Sequence, residues 1–152
     1  MGTERGRVTV LDAFAVLALL NGEPAAPEVR DLIESGETTP TVSTLNLAEV
    51  FDQLVRVSAA SPEQTHRALN LLELSGVRSH ALTDAVARRA GELRAGHYHR
   101  SRNEVSMADC ACAATAEALA MPLATADGAL ARMARAVGLE VIALADSRGR
   151  RP

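Results

Sequence analysis

The sequence contains no lysine, so all 16 of its basic residues are arginines. It therefore has neither the lysine that a Walker-type phosphate loop needs nor the amine of a Schiff-base enzyme. Tryptophan is also absent, and aromatic residues make up only 2% of the chain. Hydrophobic residues nevertheless account for 47% of the sequence. The core must then be built mainly from leucine, valine and alanine.

Cysteine is scarce as well, since only Cys110 and Cys112 occur. They lie two positions apart in a segment that looks helical, so their side chains diverge by about 200°. We expect them neither to bridge each other nor to share a metal ion. The sequence also has no signal-like segment and no apolar run of about 18 residues, the length that a membrane-spanning helix needs. We therefore expect a cytoplasmic protein with no membrane partner.

The net charge of −3 gives no overall positive field that would attract a nucleic acid. The segment 88–102 nevertheless carries a local basic cluster. One interpretation is sequence-independent contact with RNA phosphates. The residues that would make this contact are Arg88, Arg89, Arg100 and Arg102. The other interpretation is a solvated helix end followed by an exposed loop.

The length of 152 residues fits a single domain, which we place at 7–146 with flexible tails at 1–6 and 147–152. Short β-rich or apolar runs alternate with segments of helical periodicity. Strands are predicted at 8–11, 39–43, 77–80, 122–125 and 140–144. Helices are predicted to begin near Phe14, Pro24, Asn46, Ser61, Thr83, Val105 and Ala126. This alternation predicts a three-layer α/β/α sandwich with a mainly parallel central sheet.

Two aspartates follow predicted strands. Asp12 comes after the first strand, and Asp127 comes after the strand that ends at Thr125. Both then belong at the carboxyl edge of a parallel sheet, where ligands gather. Each also fits an ordinary role at a helix start, Asp12 as an N-cap and Asp127 as a first-turn acid favoured by the helix dipole.

Two further acids are candidates for the same site. Asp109 falls on the apolar face of its predicted helix, and burying an unpaired carboxylate costs several kcal/mol. It must be protonated, bound to a cation or paired with an arginine from another element. Glu49 fits a capping box that begins at Asn46, although it also lies off the apolar stripe, facing solvent or an open cleft. Asp52, one turn further on, is a rival ligand.

A cluster of such acids indicates a particular chemistry. Neighbouring carboxylates repel one another unless a cation neutralises them, and hard oxygen ligands select Mg²⁺ or Mn²⁺. A site of this kind can activate water and stabilise the charge on a phosphodiester during in-line attack. If the fold brings the acids together, the sequence indicates hydrolysis of a phosphate ester.

Four ordered segments resemble a known family and together cover most of the chain. They are VTVLDAFAVLALLNGEP, TVSTLNLAEVFDQL, VSMADCACAATAEALAMPLATADGAL and GLEVIAL. In this order they resemble the blocks of VapC-like PIN-domain toxins. The resemblance implies an endoribonuclease that binds Mg²⁺ or Mn²⁺ through Asp12, Glu49, Asp109 and Asp127. It also implies that Thr125 helps to position the water at the metal, with a helix N-cap as the alternative role.

The same resemblance implies partners: an RNA substrate, a VapB-like antitoxin whose tail fills the active-site groove, and a second copy in a homodimer. Two positions depart from the family pattern. Phe14 replaces the frequent Ser or Asn, which could weaken a contact that supports the metal site. Gly128 replaces a frequent basic residue, which could alter contacts with substrate or antitoxin.

Two other functional classes remain open. A haloacid-dehalogenase-like, Mg²⁺-dependent phosphatase also places an Asp after its first strand. It would need a second Asp at the position of Phe14 and a lysine downstream, so this sequence speaks against it. The other class is a non-catalytic RNA- or protein-binding domain with a PIN-like fold. The intact set of acids speaks against that class.

Overall fold

The computed structural model describes residues 7–152, and the predicted tail at 1–6 lies outside them. Within this range five strands form one sheet in the order β3-β2-β1-β4-β5, and every neighbouring pair is parallel. The strands are β1 (Arg7–Leu11), β2 (Thr38–Ser43), β3 (Arg78–His80), β4 (Leu123–Thr125) and β5 (Val141–Ala143). The helices are α1 (Ala13–Asn21), α2 (Ala26–Glu34), α3 (Thr44–Arg56), α4 (Pro62–Leu74), α5 (Asp84–His97), α6 (Met107–Leu119) and α7 (Gly128–Ala136).

Helices cover both faces of the sheet, and each face has its own apolar core. Val10 and Leu123 contribute to a core with α5, α6 and α7. Their neighbours Leu11 and Ala124 contribute to a second core with α1, α2, α3 and α4. Successive strand residues point to opposite faces, so this division gives two layers of helices around one sheet. The predicted α/β/α sandwich is confirmed, and its sheet is fully parallel among the described strands.

Strand β2 runs directly into α3, which corrects the predicted start of that helix. Ser43 is both the last residue of β2 and the N-cap of α3. Its hydroxyl oxygen accepts a hydrogen bond from the backbone N–H of Asn46 at 3.2 Å. The capping box predicted from Asn46 to Glu49 is therefore wrong. Both residues lie inside the helix, and the Glu49 carboxylate is not used by a cap.

The segment 147–152, predicted as a flexible tail, contacts the rest of the domain. The Asp146 carboxylate accepts hydrogen bonds from the backbone N–H groups of Arg148 and Arg150, both at 2.8 Å. Arg151 pairs with Glu28 at 2.6 Å and donates to the carbonyl of Ala143. These bonds fasten the segment against α2 and β5.

Two further expectations bear on the site. Both cysteines are buried and free, as their spacing predicts. In the part of the chain that the structure describes, no helix has the length and apolar character needed to cross a bilayer.

Candidate metal centre

The site lies at the carboxyl edge of the two central strands. Strands β1 and β4 pair in register, with Leu11 opposite Ala124. The next residue of each strand, Asp12 and Thr125, therefore leaves the sheet at the same point. There the Thr125 hydroxyl donates a hydrogen bond to Oδ2 of Asp12. Parallel pairing thus joins two residues that are 113 positions apart in sequence.

Asp12 is the most deeply buried acid of the site, with 3% of its surface exposed. Its Oδ1 accepts from the backbone N–H of Ala15 at 2.8 Å, so it is also the N-cap of α1. Burial raises the pKa of this carboxyl to about 7, although the bonds from Thr125 and Ala15 oppose the shift. The predicted N-cap role and the predicted site role therefore fall on one residue.

Asp109 lies in the first turn of α6 and has a partner that the sequence interpretation missed. It forms a capping box with Ser106: its Oδ2 accepts from the Ser106 backbone N–H at 2.7 Å, and its own N–H donates to Ser106 Oγ. Burial raises the pKa of Asp109, and the bonds from Ser106 lower it. No arginine within residues 7–152 forms an ion pair with it. The alternative of an Asp–Arg pair is not found.

Glu49 is half-buried on α3, one turn after Asn46. Burial raises its pKa, the negative charge of Asp109 raises it further, and the side chain of Asn46 lowers it. Asn46 itself is 0% exposed, and its Oδ1 accepts from Ser43 Oγ at 2.7 Å. The buried Nδ2 of Asn46 has no hydrogen-bond partner among residues 7–152. The Asn46 amide therefore opposes the rise in the pKa of Glu49, although no hydrogen bond of normal length joins the two side chains.

Asp52, the rival ligand on the same helix, is engaged elsewhere. It is exposed and pairs with Arg56, with Nη2 of the arginine 2.8 Å from Oδ2. The hydrogen bond from Arg56 lowers the pKa of Asp52. Because Arg56 already balances the charge of the exposed Asp52, Glu49 is the better candidate for a metal ligand on α3.

Asp127 completes the group at the start of α7. It is exposed, and its Oδ1 accepts from the backbone N–H of Leu130 at 2.7 Å, which makes it the N-cap of α7. Its own N–H donates to Oγ1 of Thr125 at 2.9 Å. The Thr125 hydroxyl thus bridges Asp12 and Asp127. The N-cap role considered for Thr125 is wrong, because Asp127 has that position.

These four acids, Asp12, Glu49, Asp109 and Asp127, influence one another electrostatically. The charges of Asp109 and Asp127 raise the pKa of both Asp12 and Glu49, and Asp127 also raises that of Asp109. The sheet edge, the starts of α6 and α7 and the second turn of α3 therefore contribute to one negative cluster. Such repulsion is tolerable when a cation shares the site.

The carboxylates are not closed around a single point. Within residues 7–152, no three side chains of His, Cys, Asp or Glu are arranged to hold a metal ion. The caps explain this, because Asp109 and Asp127 each direct one oxygen at a backbone N–H. The second oxygen of each makes no hydrogen bond to the described part of the chain, so it is available to a ligand. An all-carboxylate donor set fits a hard divalent cation such as Mg²⁺ or Mn²⁺.

The predicted basic cluster divides into two parts. Arg88 pairs with Asp84 at 2.8 Å, and Arg89 pairs with Glu117 at 2.7 Å, which ties α5 to α6. These ion pairs favour a structural role for both arginines. Arg100 and Arg102 lie in the exposed loop between these helices and form no ion pair with the described residues. RNA contact by the loop arginines stays a prediction.

Several solved structures with a similar fold are VapC toxins or VapBC complexes. The VapC20 toxin of Mycobacterium tuberculosis, described as cleaving the sarcin–ricin loop, is 18% identical, with a TM-score of 0.67 over 95% of this chain and 99% of that chain. A VapBC2 structure from Rickettsia felis, bound to promoter DNA, is also 18% identical, with a TM-score of 0.67 over 89% and 97%.

A VapBC-1 structure from Haemophilus influenzae is 19% identical, with a TM-score of 0.66 over 89% of this chain and 96% of that chain. At such identities the likeness establishes the fold. No curated protein matches the sequence. The model of the PIN domain family matches residues 9–136, which contain all four acids. Because this match spans most of the sequence, the chain belongs to the PIN domain family.

Proposed function

We propose that this protein is an endoribonuclease that depends on Mg²⁺ or Mn²⁺, and that it is the toxin of a VapBC-like toxin–antitoxin pair. One observation carries the proposal. Four carboxylates from separate elements lie near one sheet edge, where the negative charge of Asp127 raises the pKa of the other three. Within residues 7–152 no arginine pairs with Asp109. Membership of the PIN domain family and the fold shared with VapC20 support it.

Asp12, Glu49, Asp109 and Asp127 would hold the cation. When bound, the ion activates water and neutralises charge that develops on the phosphodiester. The residues of the chain itself supply the positioning. Thr125 fixes Asp12 and Asp127 relative to each other through one hydroxyl.

The direct test is cleavage of RNA by purified protein. A mixture of total cellular RNA, which contains transfer and ribosomal RNA, is incubated with the protein in Mn²⁺, in Mg²⁺ and in EDTA. We expect discrete fragments in the presence of either metal and intact RNA in EDTA. Cleavage that persists in EDTA, or no cleavage by folded protein with either metal, would contradict a metal-dependent ribonuclease.

We also propose an antitoxin partner, a homodimer and a cytoplasmic site of action. The antitoxin is supported by the neighbours from Rickettsia felis and Haemophilus influenzae, which are VapBC structures. A toxin should arrest growth when it is expressed without its antitoxin, and an inactive Asp12→Asn variant should not. The measurement is colony formation after induction, with equal soluble protein verified for both. Equal growth would argue against a toxin and leave the nuclease proposal to its own assay.

Replacing Thr125 with valine should lower both the stability of the protein and its affinity for Mn²⁺. Thr125 is fully buried, and its hydroxyl donates to Asp12 and accepts from the Asp127 backbone. Valine has the same shape but can make neither bond. We expect a loss of about 1–3 kcal/mol in the free energy of unfolding, and Mn²⁺ binding weakened roughly 10–100-fold.

Urea denaturation and isothermal titration with Mn²⁺ measure these two effects. Thr125→Ser is the matched control, because it retains the hydroxyl and should bind Mn²⁺ nearly as the wild type does. If the valine variant bound Mn²⁺ as tightly as the serine variant, the hydroxyl would have no part in holding the two aspartates.

A further inference from the structure

Arg132 lies beside the candidate metal centre and forms no ion pair with any acid of residues 7–152. Its Nη1 is 3.3 Å from the position that a Cβ atom at Gly128 would take. Gly128 directly follows Asp127, the N-cap of α7. The guanidinium therefore covers the first turn of the helix that Asp127 caps.

Helix geometry explains this placement. Long side chains on a helix lean toward its N-terminus, so a residue covers the position four before its own. Arg132 is four residues after Gly128 and lies over it. Any side chain at position 128 would meet the guanidinium, whereas glycine leaves that space to it. The missing side chain at 128 thus leaves room for the guanidinium over the first turn of α7, directly after Asp127.

Arg132 also connects α7 to the exposed loop between α5 and α6. Its Nη2 donates to the backbone carbonyl of Arg102 at 3.4 Å. That loop is a tight turn, because the ring Nδ1 of His99 accepts from the N–H of Arg102 at 3.1 Å, and the backbones of His99 and Asn103 pair. The contact holds the loop, with Arg100 and Arg102, alongside α7.

We propose that Arg132 binds a phosphate of single-stranded RNA next to the bond that is cleaved at the metal centre. The inference rests on the proposed ribonuclease function, and it identifies Arg132 as a residue that contacts the RNA substrate beside the metal centre. A cluster of carboxylates repels RNA, so a cation beside it is needed to hold the strand. Arginine presents several N–H donors in a planar fork that matches a phosphate, and only one contact of this fork goes to Arg102.

The test compares Arg132→Gln with Arg135→Gln. Arg135 is on the same helix, and its Nη2 makes a similar single bond of 3.4 Å, to the backbone oxygen of Pro152. Binding of a fluorescent single-stranded RNA is measured by anisotropy in EDTA, which prevents cleavage, over a series of KCl concentrations. We expect Arg132→Gln to weaken binding about 10-fold at low salt, and to reduce the slope of log Kd against log salt by about 0.7. Arg135→Gln should match the wild type.

Moving the charge provides a second readout. In Gly128→Arg combined with Arg132→Gln, the new arginine side chain begins 3.3 Å from the position of the original guanidinium Nη1. This double variant should recover most of the affinity and of the salt slope. A residue that only holds the loop would lower the melting temperature on substitution and leave the salt slope unchanged.

An unchanged salt slope in Arg132→Gln, with or without lower stability, would overturn the inference, as would the absence of RNA binding by the wild type. The experiments also distinguish a failure of this inference from a failure of the proposed ribonuclease function. Cleavage by both the wild type and Arg132→Gln, with equal RNA affinity, would remove the role of Arg132 and leave the ribonuclease. RNA binding that depends on Arg132, without cleavage in any metal, would retain the contact and remove the enzyme.

Discussion

Asp12→Asn should abolish cleavage of RNA, reducing kcat/KM in Mn²⁺ by at least about 100-fold, because loss of a metal ligand should cost no less than loss of a residue that supports one. The substitution removes a charge and changes the shape of the side chain very little. Asparagine keeps an oxygen that can accept from the Ala15 backbone at the start of α1. The expected loss therefore reports on the missing carboxylate, and the measurement is the initial rate of RNA cleavage over a series of Mn²⁺ concentrations.

Asp31→Asn provides the matched control. Asp31 is an exposed aspartate of α2 without an ion pair in the described part of the chain. Helix α2 leads into the start of β2, so Asp31 lies toward the sheet edge opposite the site. This variant should cleave RNA at the wild-type rate. If Asp12→Asn did so too, Asp12 would not be a ligand of the catalytic ion, and the proposed four-acid metal centre would be wrong.

The sheet and two of the acids were predictable because they depend on local sequence and one topological rule. Strand runs alternate with helical segments, and the carboxyl ends of parallel strands meet at one edge. Asp12 and Asp127 follow from that rule once β1 and β4 are neighbours. The positions of the strands and of these two acids can be predicted because strands, turns and helices each depend on patterns of only a few residues.

The starts of α3 and α6 were less predictable. Ser43 and Asn46 are both good N-caps, and only the direct passage of β2 into the helix selects Ser43. For α6, the pattern from Ser106 to Asp109 has the spacing of a capping box and could have been recognised. A helix assumed to begin at Val105 made Asp109 appear to be an interior residue instead.

Contacts between elements that are distant in the sequence could not be predicted from it. The pairing of Arg88 with Asp84 has a helical spacing and is readable, whereas that of Arg89 with Glu117 joins residues 28 apart. The position of Arg132 over Gly128 follows helix spacing, but its contact with the loop depends on how α7 packs. Side chains that share a neighbourhood only after folding need coordinates to be found.

The pH dependence of stability gives an independent prediction for Asp12. Its pKa is raised from 3.8 to about 7, so the folded protein holds this proton more tightly than the unfolded chain does. The stability due to Asp12 is therefore largest below pH 4, declines as the pH rises, and reaches its minimum above pH 7. Over that range the shift corresponds to about 4 kcal/mol.

In EDTA, Asp12→Asn should therefore be more stable than the wild type at pH 8, by as much as about 3 kcal/mol once about 1 kcal/mol is subtracted for the altered bond to Thr125. At pH 4 the gain should vanish, because the wild-type carboxyl is then protonated. Urea denaturation at both pH values measures the difference, and Asp31→Asn should follow the wild type throughout. Parallel stability curves for the wild type and Asp12→Asn would contradict a buried, destabilising carboxylate.

Mn²⁺ should reverse this order at pH 8. A ligand that binds only the folded state stabilises it by about 4.1 kcal/mol at a concentration about 1,000 times its Kd, which exceeds the advantage of Asp12→Asn in EDTA. The wild type should gain this stability, since its carboxylates repel one another until a cation neutralises them. Asp12→Asn should gain much less, because it has lost both the repulsion and a ligand. Equal stabilisation of the two proteins by Mn²⁺ would place the ion elsewhere on the molecule. Asp12 could not then be both the buried charge that destabilises the metal-free protein and a ligand of the ion that stabilises it.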